Sequence, residues 1–555
     1  MKKSLRNFLL ISLLVVSVFG LFSFNKSDKY FEIAKNLDIF ATLFKEVNTY
    51  YVDEINPSQM MKKGIDAMLE SLDPYTNYIP EDEIEDYRTN MTGQYGGIGA
   101  VIGKRDDRSL ILMPYEGFPA HKAGLMVGDE IISVDGISVK DKSTSEISKL
   151  LKGQSNTQVK VTIQRYGQEK PFDVVITREK VKIQNVPYHG MVTNEVGIIK
   201  LTDFTSGASK EVKKALTELK EQGAKKIILD LRDNPGGLLS EAINISNLFI
   251  PKDKQVVSTK GKISEWNKVY YALNNPVDTE IPLVVLTSGR SASASEIVSG
   301  VMQDYDRGVI VGQRTYGKGL VQATRPLTYN SQLKITTAKY YTPSGRCIQA
   351  IDYSHRKEDG SVTKIPDSLR VAFKTKNGRE VFDGAGIAPD VNVDKKNHAQ
   401  ITLSLMNKGF LFDYATIYAS KHKTIPSAKE FSLTDQEYAE FVKWLDGKEY
   451  DYTTKLENSL EEMINTSKQE KYYESLKDEI ESLKAQVSHS KEKDLMTFKE
   501  EIKEQLEEEI VSRYYLQKGI VEASFDNDEV IQAALKVFDT PGEISKLLGS
   551  SSSKK

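Results

Sequence analysis

Phe118-Pro-Ala-His-Lys-Ala-Gly-Leu-Met-Val-Gly-Asp-Glu-Ile-Ile-Ser-Val-Asp-Gly136 is the stretch whose reading decides the fold of the first half of the chain. Glycine and aspartate punctuate an otherwise apolar run. The spacing predicts a short helix ahead of Gly124, a tight turn at Gly128-Asp129, a strand over 130–134 and a closing turn at Asp135-Gly136. Downstream, 143–152 reads as a second helix and 159–165 as the next strand. Upstream lies a glycine-rich loop, Gly93-Gln-Tyr-Gly-Gly-Ile-Gly99. Residues 93–182 therefore read as one small strand-rich domain.

Its neighbours differ in pattern. Residues 28–92 carry apolar positions three to four apart (Ile33, Leu37, Ile39, Leu43, Val47, then Met60, Ile65, Met68, Leu69), as helices require, and Leu72-Asp-Pro-Tyr-Thr-Asn-Tyr78 stops them at Pro74. From 183 to 400 apolar strand-like runs (196–201, 227–231, 283–286) alternate with amphipathic helix (209–221), the signature of an α/β domain. Residues 401–549 are charge-rich and helical. Leu476, Ile480, Leu483 and Val487, then Leu495, Phe498, Ile502, Leu506 and Ile510, repeat as in an amphipathic helix or short coiled coil with a solvated face, able to serve an oligomer or adaptor. Residues 1–27 begin Met-Lys-Lys-Ser-Leu-Arg and continue apolar from Phe8 to Phe24, as in a signal peptide or signal anchor; the expected location is the periplasm or cell envelope, with anchoring to the inner membrane through 7–24 if the segment is not removed. Residues 550–555 read as a disordered tail.

The 555 residues balance 75 basic against 78 acidic side chains, a net charge of −3, which excludes a nucleic-acid binder working through a general positive field. Cys347 is the only cysteine, so no intrachain disulfide can form; it reads as a buried thiol. None of the six histidines (121, 189, 355, 398, 422, 489) lies in a catalytic or metal-binding motif, and neither a zinc-protease nor a phosphate-loop pattern occurs. No metal or cofactor is expected.

Chemistry is carried by three segments of the α/β region. In Thr287-Ser-Gly-Arg-Ser-Ala-Ser-Ala-Ser-Glu-Ile297 a buried strand gives way to a loop and a helix opening at Ala294, which puts Ser293 at a helix N-terminus. The unpaired N–H groups there suit an oxyanion and a nucleophile. Ser288, Ser291, Ser293, Ser295 and Ser299 all compete, and a serine at a helix entry is commonly only a cap. In Thr315-Tyr-Gly-Lys-Gly-Leu-Val-Gln322, Lys318 stands between two glycines that admit close approach to its stem, and a strand from Leu320 sets Gln322 on the same face. A lysine can replace histidine as general base if burial leaves its amine neutral near physiological pH, well below its ordinary value of roughly 10.4. Leu229-Asp-Leu-Arg-Asp-Asn-Pro-Gly-Gly237 ends a buried strand in exposed backbone donors; Gly236 and Gly237, with the N–H of Ala294, could form an oxyanion hole.

Together these motifs resemble the carboxyl-terminal processing proteases, serine endopeptidases with an embedded PDZ domain. The segment 118–136 matches the PDZ signature, and Leu72-Asp-Pro, Tyr95-Gly-Gly-Ile-Gly99, Thr342-Pro-Ser-Gly-Arg346 and Gly386-Ile-Ala-Pro-Asp-Val391 fit as well, so that the resemblance spans about 35 to 395. Tyr75 and Cys347 depart from the usual residues, away from the reactive group. The resemblance implies a multidomain fold with a crotonase-like α/β core, Ser293 as nucleophile, Lys318 as base and Gln322 in support. It implies too that Tyr95, Gly96, Gly97, Ile98 and Gly99 hold the terminal carboxylate of a protein or peptide substrate laid along a sheet edge. The competing readings are a non-catalytic PDZ scaffold and a penicillin-binding-type hydrolase, which requires Ser-x-x-Lys at a helix start, whereas Ser488-x-x-Lys491 lies in the charged region outside the α/β domain.

Overall fold

The computed structural model describes residues 29–487 and 491–549. The expected signal segment 1–27, Ser488 and the tail 550–555 lie outside them. No described helix is long and apolar enough to cross a membrane.

Two compact units divide at Tyr78/Ile79. The first holds α1 (29–50) and α2 (Pro57–Glu70), the latter begun by Asn56, whose side chain accepts the N–H of Gln59, with Pro57 in the first turn. After α2 the buried Asp73 accepts the N–H groups of Tyr75 and Thr76 at 2.8 and 2.9 Å, folding the Leu-Asp-Pro segment into a turn. A short strand, β1 (Asn77–Ile79), spans the division. The helical pattern read over 28–92 ends with α3 (Ile84–Thr92), which belongs to the second unit, where the Tyr87 hydroxyl meets that of Thr324 at 2.6 Å and Asp86 pairs with Lys152 at 3.0 Å.

Residues 94–182 build the strand-rich domain nearly as the turn chemistry dictates. Strands β2 (Gln94–Gly97), β3 (Ala100–Arg105), β4 (Arg108–Pro114), β5 (Glu130–Val134), β6 (Ile137–Ser138), β7 (Gln158–Gln164), β8 (Phe172–Thr177) and β9 (Glu179–Lys182) surround two helices, α4 (Pro119–Lys122) and α5 (Thr144–Leu151). The turn closing β5 puts Asp135 and Gly136 at φ of +48° and +78°, the left-handed pair that a two-residue hairpin needs. Ser143 and Glu146 form a capping box on α5. In the sheet order β3-β4-β5-β7-β8, β3 is an edge, and α5 packs beside it.

The central sheet has the order β10 (Tyr188–Met191), β11 (Val196–Lys200), β12 (Lys226–Asp230), β15 (Leu283–Thr287), β16 (Val309–Gly312) and Val391–Asn392; all neighbours are parallel except β10 and β11. Side chains alternate between two cores, as period-two geometry requires. Ile199, Ile227, Leu229, Val285 and Ile310 face α6 (Ala208–Glu221), α7 (Leu239–Phe249) and α8 (Ala294–Asp304). Ile198, Ile228, Val284, Leu286, Val309 and Val311 face the opposite way. Beside this layer β13 (Gln255–Gly261), β14 (Lys268–Tyr271), β17 (Leu320–Pro326) and β18 (Gln332–Tyr341) form an antiparallel sheet in which β18 pairs with both β13 and β17.

A parallel sheet must be covered on both faces, and the second cover comes from the far end of the chain. After α9 (Gln400–Asn407), α10 (Phe410–Lys421), α11 (Asp435–Trp444), α12 (Lys455–Gln469), α13 (Lys477–Val487), α14 (Lys491–Thr497) and α15 (Lys499–Ala523) come α16 (Glu529–Asp539) and α17 (Glu543–Leu547). Val521, Phe525, Ile531, Ala534, Val537, Phe538 and Leu548 close over the free sheet face. The apolar stripe, read as an amphipathic helix or short coiled coil, is divided among three helices. Leu495, Ile502, Leu506 and Ile510 enter a core shared with Tyr414, Tyr438 and Phe441, whereas Leu476 and Leu483 stay exposed. The same region carries the strand-rich domain: Arg108 reaches both oxygens of Asp413 at 3.1 and 3.0 Å, and Leu110 and Val127 pack on Phe412 and Leu516.

Candidate active site

The loop between β15 and α8 is held by its serines. Ser291 Oγ donates to Leu231 O (2.7 Å), Ser295 Oγ to Asn234 O (3.0 Å) and Ser299 Oγ to Ser295 O (2.9 Å), while Ser288 Oγ accepts the N–H of Asp233 (3.0 Å). Ser293 differs. It stands at the N-terminus of α8 with φ +55° and ψ −111°, a conformation costly for a residue with a side chain, and its hydroxyl makes no cap hydrogen bond. Four of the five competing hydroxyls thus have structural work, and the fifth sits on a strained turn, half-buried.

Lys318 is half-buried between Gly317 and Gly319. Both glycines are required by close approach: a Cβ on Gly317 would meet Ala350 Cβ at 2.3 Å, and one on Gly319 would meet Gln349 N at 2.8 Å. Two buried side chains join this loop to Ser293. The carboxylate of Glu296, fully buried, accepts Ser293 N–H and Lys318 N–H on one oxygen, each at 2.8 Å, so a single atom fixes both backbones. Its other oxygen accepts Gly317 N–H (2.7 Å) and the Thr315 hydroxyl (2.6 Å). Burial pushes the Glu296 carboxyl up from its ordinary value, against the pull of these donors. From the other side the Tyr340 hydroxyl lies 2.6 Å from Lys318 O and 3.0 Å from Ser293 O. Gln322 lies on β17 beside a bulge, its amide 3.1 Å from the Thr336 hydroxyl.

The third segment meets the first. Gly236, at φ +99°, lies so close to the Ser293 loop that a Cβ would stand 2.7 Å from Ala292 O, 2.8 Å from Ala294 N and 2.9 Å from Ser293 Cβ. Its own N–H, however, is taken by Asn234 Oδ1 at 2.8 Å. Of the three donors read from sequence, Gly236 is therefore spent inside its turn. Asn234, fully buried, also donates to Leu201 O and accepts Ala292 N–H. Glu296, Asn234 and Tyr340 escaped the sequence reading. Glu296 alone had a signal, since Ser-x-x-Glu at a helix start is a capping-box pattern; nothing local marks Tyr340, which arrives from a different strand.

In the strand-rich domain Gly96 O accepts Gly153 N–H at 3.0 Å, and Ile98 O accepts Ala120 N–H at 2.7 Å. Tyr95 to Gly99 therefore lead directly into the edge strand β3, with Gly99 at φ +73°. The Ile98 side chain belongs to the domain core, and Lys152 lies over the Tyr95 ring at 5.6 Å. Cys347 is an unpaired thiol, pushed up by burial.

Profiles of three families match: peptidase family S41 over 195–355, PDZ domain over 111–165, and the C-terminal helical domain of a PDZ-protease family over 401–538. A carboxy-terminal-processing protease of Bartonella bacilliformis is 33% identical over 402 residues, covering 70% of this chain and 91% of that protein. A Staphylococcus aureus protein named as a probable CtpA-like serine protease is 36% identical over 393 residues, covering 70% and 74%. Among solved structures, the photosystem II D1 C-terminal processing protease is 28% identical over 64% of this chain and 86% of that one, with a TM-score of 0.35. The chain belongs to the carboxy-terminal-processing proteases of peptidase family S41. It is a serine-type peptidase with a PDZ domain and a C-terminal helical domain.

Proposed function

We propose that this peptidase cuts proteins near their C-termini by a Ser293–Lys318–Gln322 mechanism on a crotonase-like α/β core. The free edge of β3 beside α5 takes the substrate's last residues as an added strand, and the Tyr95–Gly99 loop receives the terminal carboxylate. Ser293 Oγ attacks the scissile carbonyl while the neutral amine of Lys318 takes its proton and later gives it to the leaving amine; Gln322 orients the lysine. The N–H groups of Gly237 and Ala294 donate to the oxyanion, with Gly236 admitting the close approach. Water then releases the acyl group. The observation that carries this reading is the single Glu296 oxygen shared by Ser293 N–H and Lys318 N–H, which ties the two loops into one site.

The test is hydrolysis of an unfolded protein with a free C-terminus by Ser293→Ala and Lys318→Ala. Each should lose activity down to background; retention of parental activity by both would overturn the assignment. A non-catalytic scaffold would instead leave Ser293 unlabelled by a fluorophosphonate under all conditions. Export to the periplasm or cell envelope, with the segment 1–27 as signal or anchor, completes the proposal; fractionation of the producing cell tests it.

A further inference from the structure

The motif ending at Gly237 is gripped from outside the protease core. Arg232 exposes only 19% of its side chain and forks between two carboxylates. On one side Nε and Nη2 donate to Asp230 at 2.9 and 2.7 Å. On the other, Nη1 donates to both oxygens of Asp528 at 2.9 and 2.7 Å. Asp528 lies 296 residues away in the C-terminal helical domain, where it also caps α16 by accepting the N–H groups of Val530 and Ile531. Two residues beyond Arg232, the carbonyl of Asn234 accepts Ala292 N–H and Ser295 Oγ at 3.0 Å each, and its side chain fixes Gly236. The ion pairs of Arg232 thus connect the first turn of α16, through two residues of backbone, to the Asn234 hydrogen bonds on both sides of Ser293. Along one flank of this connection lies a cavity of about 780 Å³, lined among others by Arg232, Lys200, Arg290, Glu508 and Asp528.

We infer that Asp528 is a positioning residue for the peptidase reaction: through Arg232 it sets the place of the Asn234–Gly237 turn, and hence of the oxyanion donors, relative to Ser293. The two-nitrogen fork on Asp230 fixes the guanidinium plane, and Nη1 shared between both oxygens of Asp528 adds a charge-assisted tether from the C-terminal helical domain. An error of about 1 Å in such a place costs on the order of a hundredfold in rate. The proposal rests on the Ser293 reading above.

Asp528→Asn in the full chain is the informative variant, because asparagine still caps α16 but no longer pairs in charge with Arg232. With a quenched-fluorescent peptide bearing a free C-terminus, we expect kcat to fall about 10- to 100-fold with KM unchanged, and fluorophosphonate labelling of Ser293 to slow in parallel. Val537→Ala, which loosens the same helix without touching the ion pair, should lower Tm and leave kcat at the parental value. Parental kcat in Asp528→Asn, or equal losses of kcat in both variants at a temperature where both are folded, overturns the inference. Activity surviving in Ser293→Ala would instead overturn the underlying reading of the site, and the two failures are thereby told apart.

Discussion

Ser293 holds a backbone conformation that costs a residue with a side chain roughly 1–3 kcal/mol, and its surroundings enforce it. Gly236 is one of the enforcers, and Gly236→Ala would press a methyl group against Ala292 O, Ala294 N and Ser293 Cβ, all within 3.0 Å. Backbone atoms cannot swing aside, so we expect this variant to lose about 1–3 kcal/mol of stability and nearly all turnover, read by thermal unfolding and peptide hydrolysis together. Glu296→Gln should be nearly as damaging. The carboxylate accepts four donors and donates to none, so an amide must turn its NH2 toward at least one N–H; leaving one buried donor unmatched costs about 1–3 kcal/mol. Parental Tm and kcat in Glu296→Gln would show that the carboxylate does not hold the two loops together. At this scale the sequence was informative about Ser293 and Lys318 because glycines and a helix start announced them. It was silent on Tyr340 and Asn234, whose contributions depend on strands brought together only by folding.

At the scale of single elements, turn chemistry was readable almost to the residue. Strand β5 occupies 130–134 as expected, and α5 lies one residue inside each expected end because Ser143 and Lys152 are its caps. The edge strand β3 beside α5 makes a testable demand: amidating the C-terminus of a peptide substrate should raise KM with kcat unchanged, and equal KM for both forms would rule out carboxylate capture. Helix α15 buries the expected stripe of Ile502, Leu506 and Ile510, but its charged side is only partly exposed. Glu508 on that helix is pushed up to about 7, first by burial and then by Glu504, Glu509 and Asp528 nearby, with Lys200 opposing. A glutamate in the unfolded chain titrates near 4.3. The folded protein therefore keeps a proton that the unfolded chain releases; this favours folding at low pH, and the advantage is lost as pH climbs through about 7. It amounts to about 3 kcal/mol. Glu508→Gln should accordingly raise Tm over the parent at pH 8 and do so less, or not at all, at pH 5.

For the molecule as a whole, the largely apolar strands 227–231 and 283–286 carried more information than their assignment as strands. A parallel sheet buried on one side only would leave Ile228, Val284, Leu286, Val309 and Val311 in water, and the α/β region itself supplies helices for the other face alone. The cover had to come from elsewhere in the chain. Residues 401–549 could not be recognised as that cover because the pairing joins segments far apart in the sequence, beyond the reach of any local periodicity. Deleting 401–549 should leave a protein that binds a hydrophobic dye and unfolds without a cooperative transition, even though it retains Ser293, Lys318 and Gln322. A soluble, cooperatively folding fragment would contradict that view of the core.

Synthesis proceeds from the N-terminus, and the lid on the sheet is made well after the strands it covers. A nascent chain carries Ser293 and Lys318 for the whole time needed to add the helical region, yet α16 cannot close over β12 and β15 until Phe538 has been joined. The sheet that carries Ser293 beyond the end of β15 therefore stays uncovered on one face, with Ile228, Val284 and Leu286 in water, until α16 has been added.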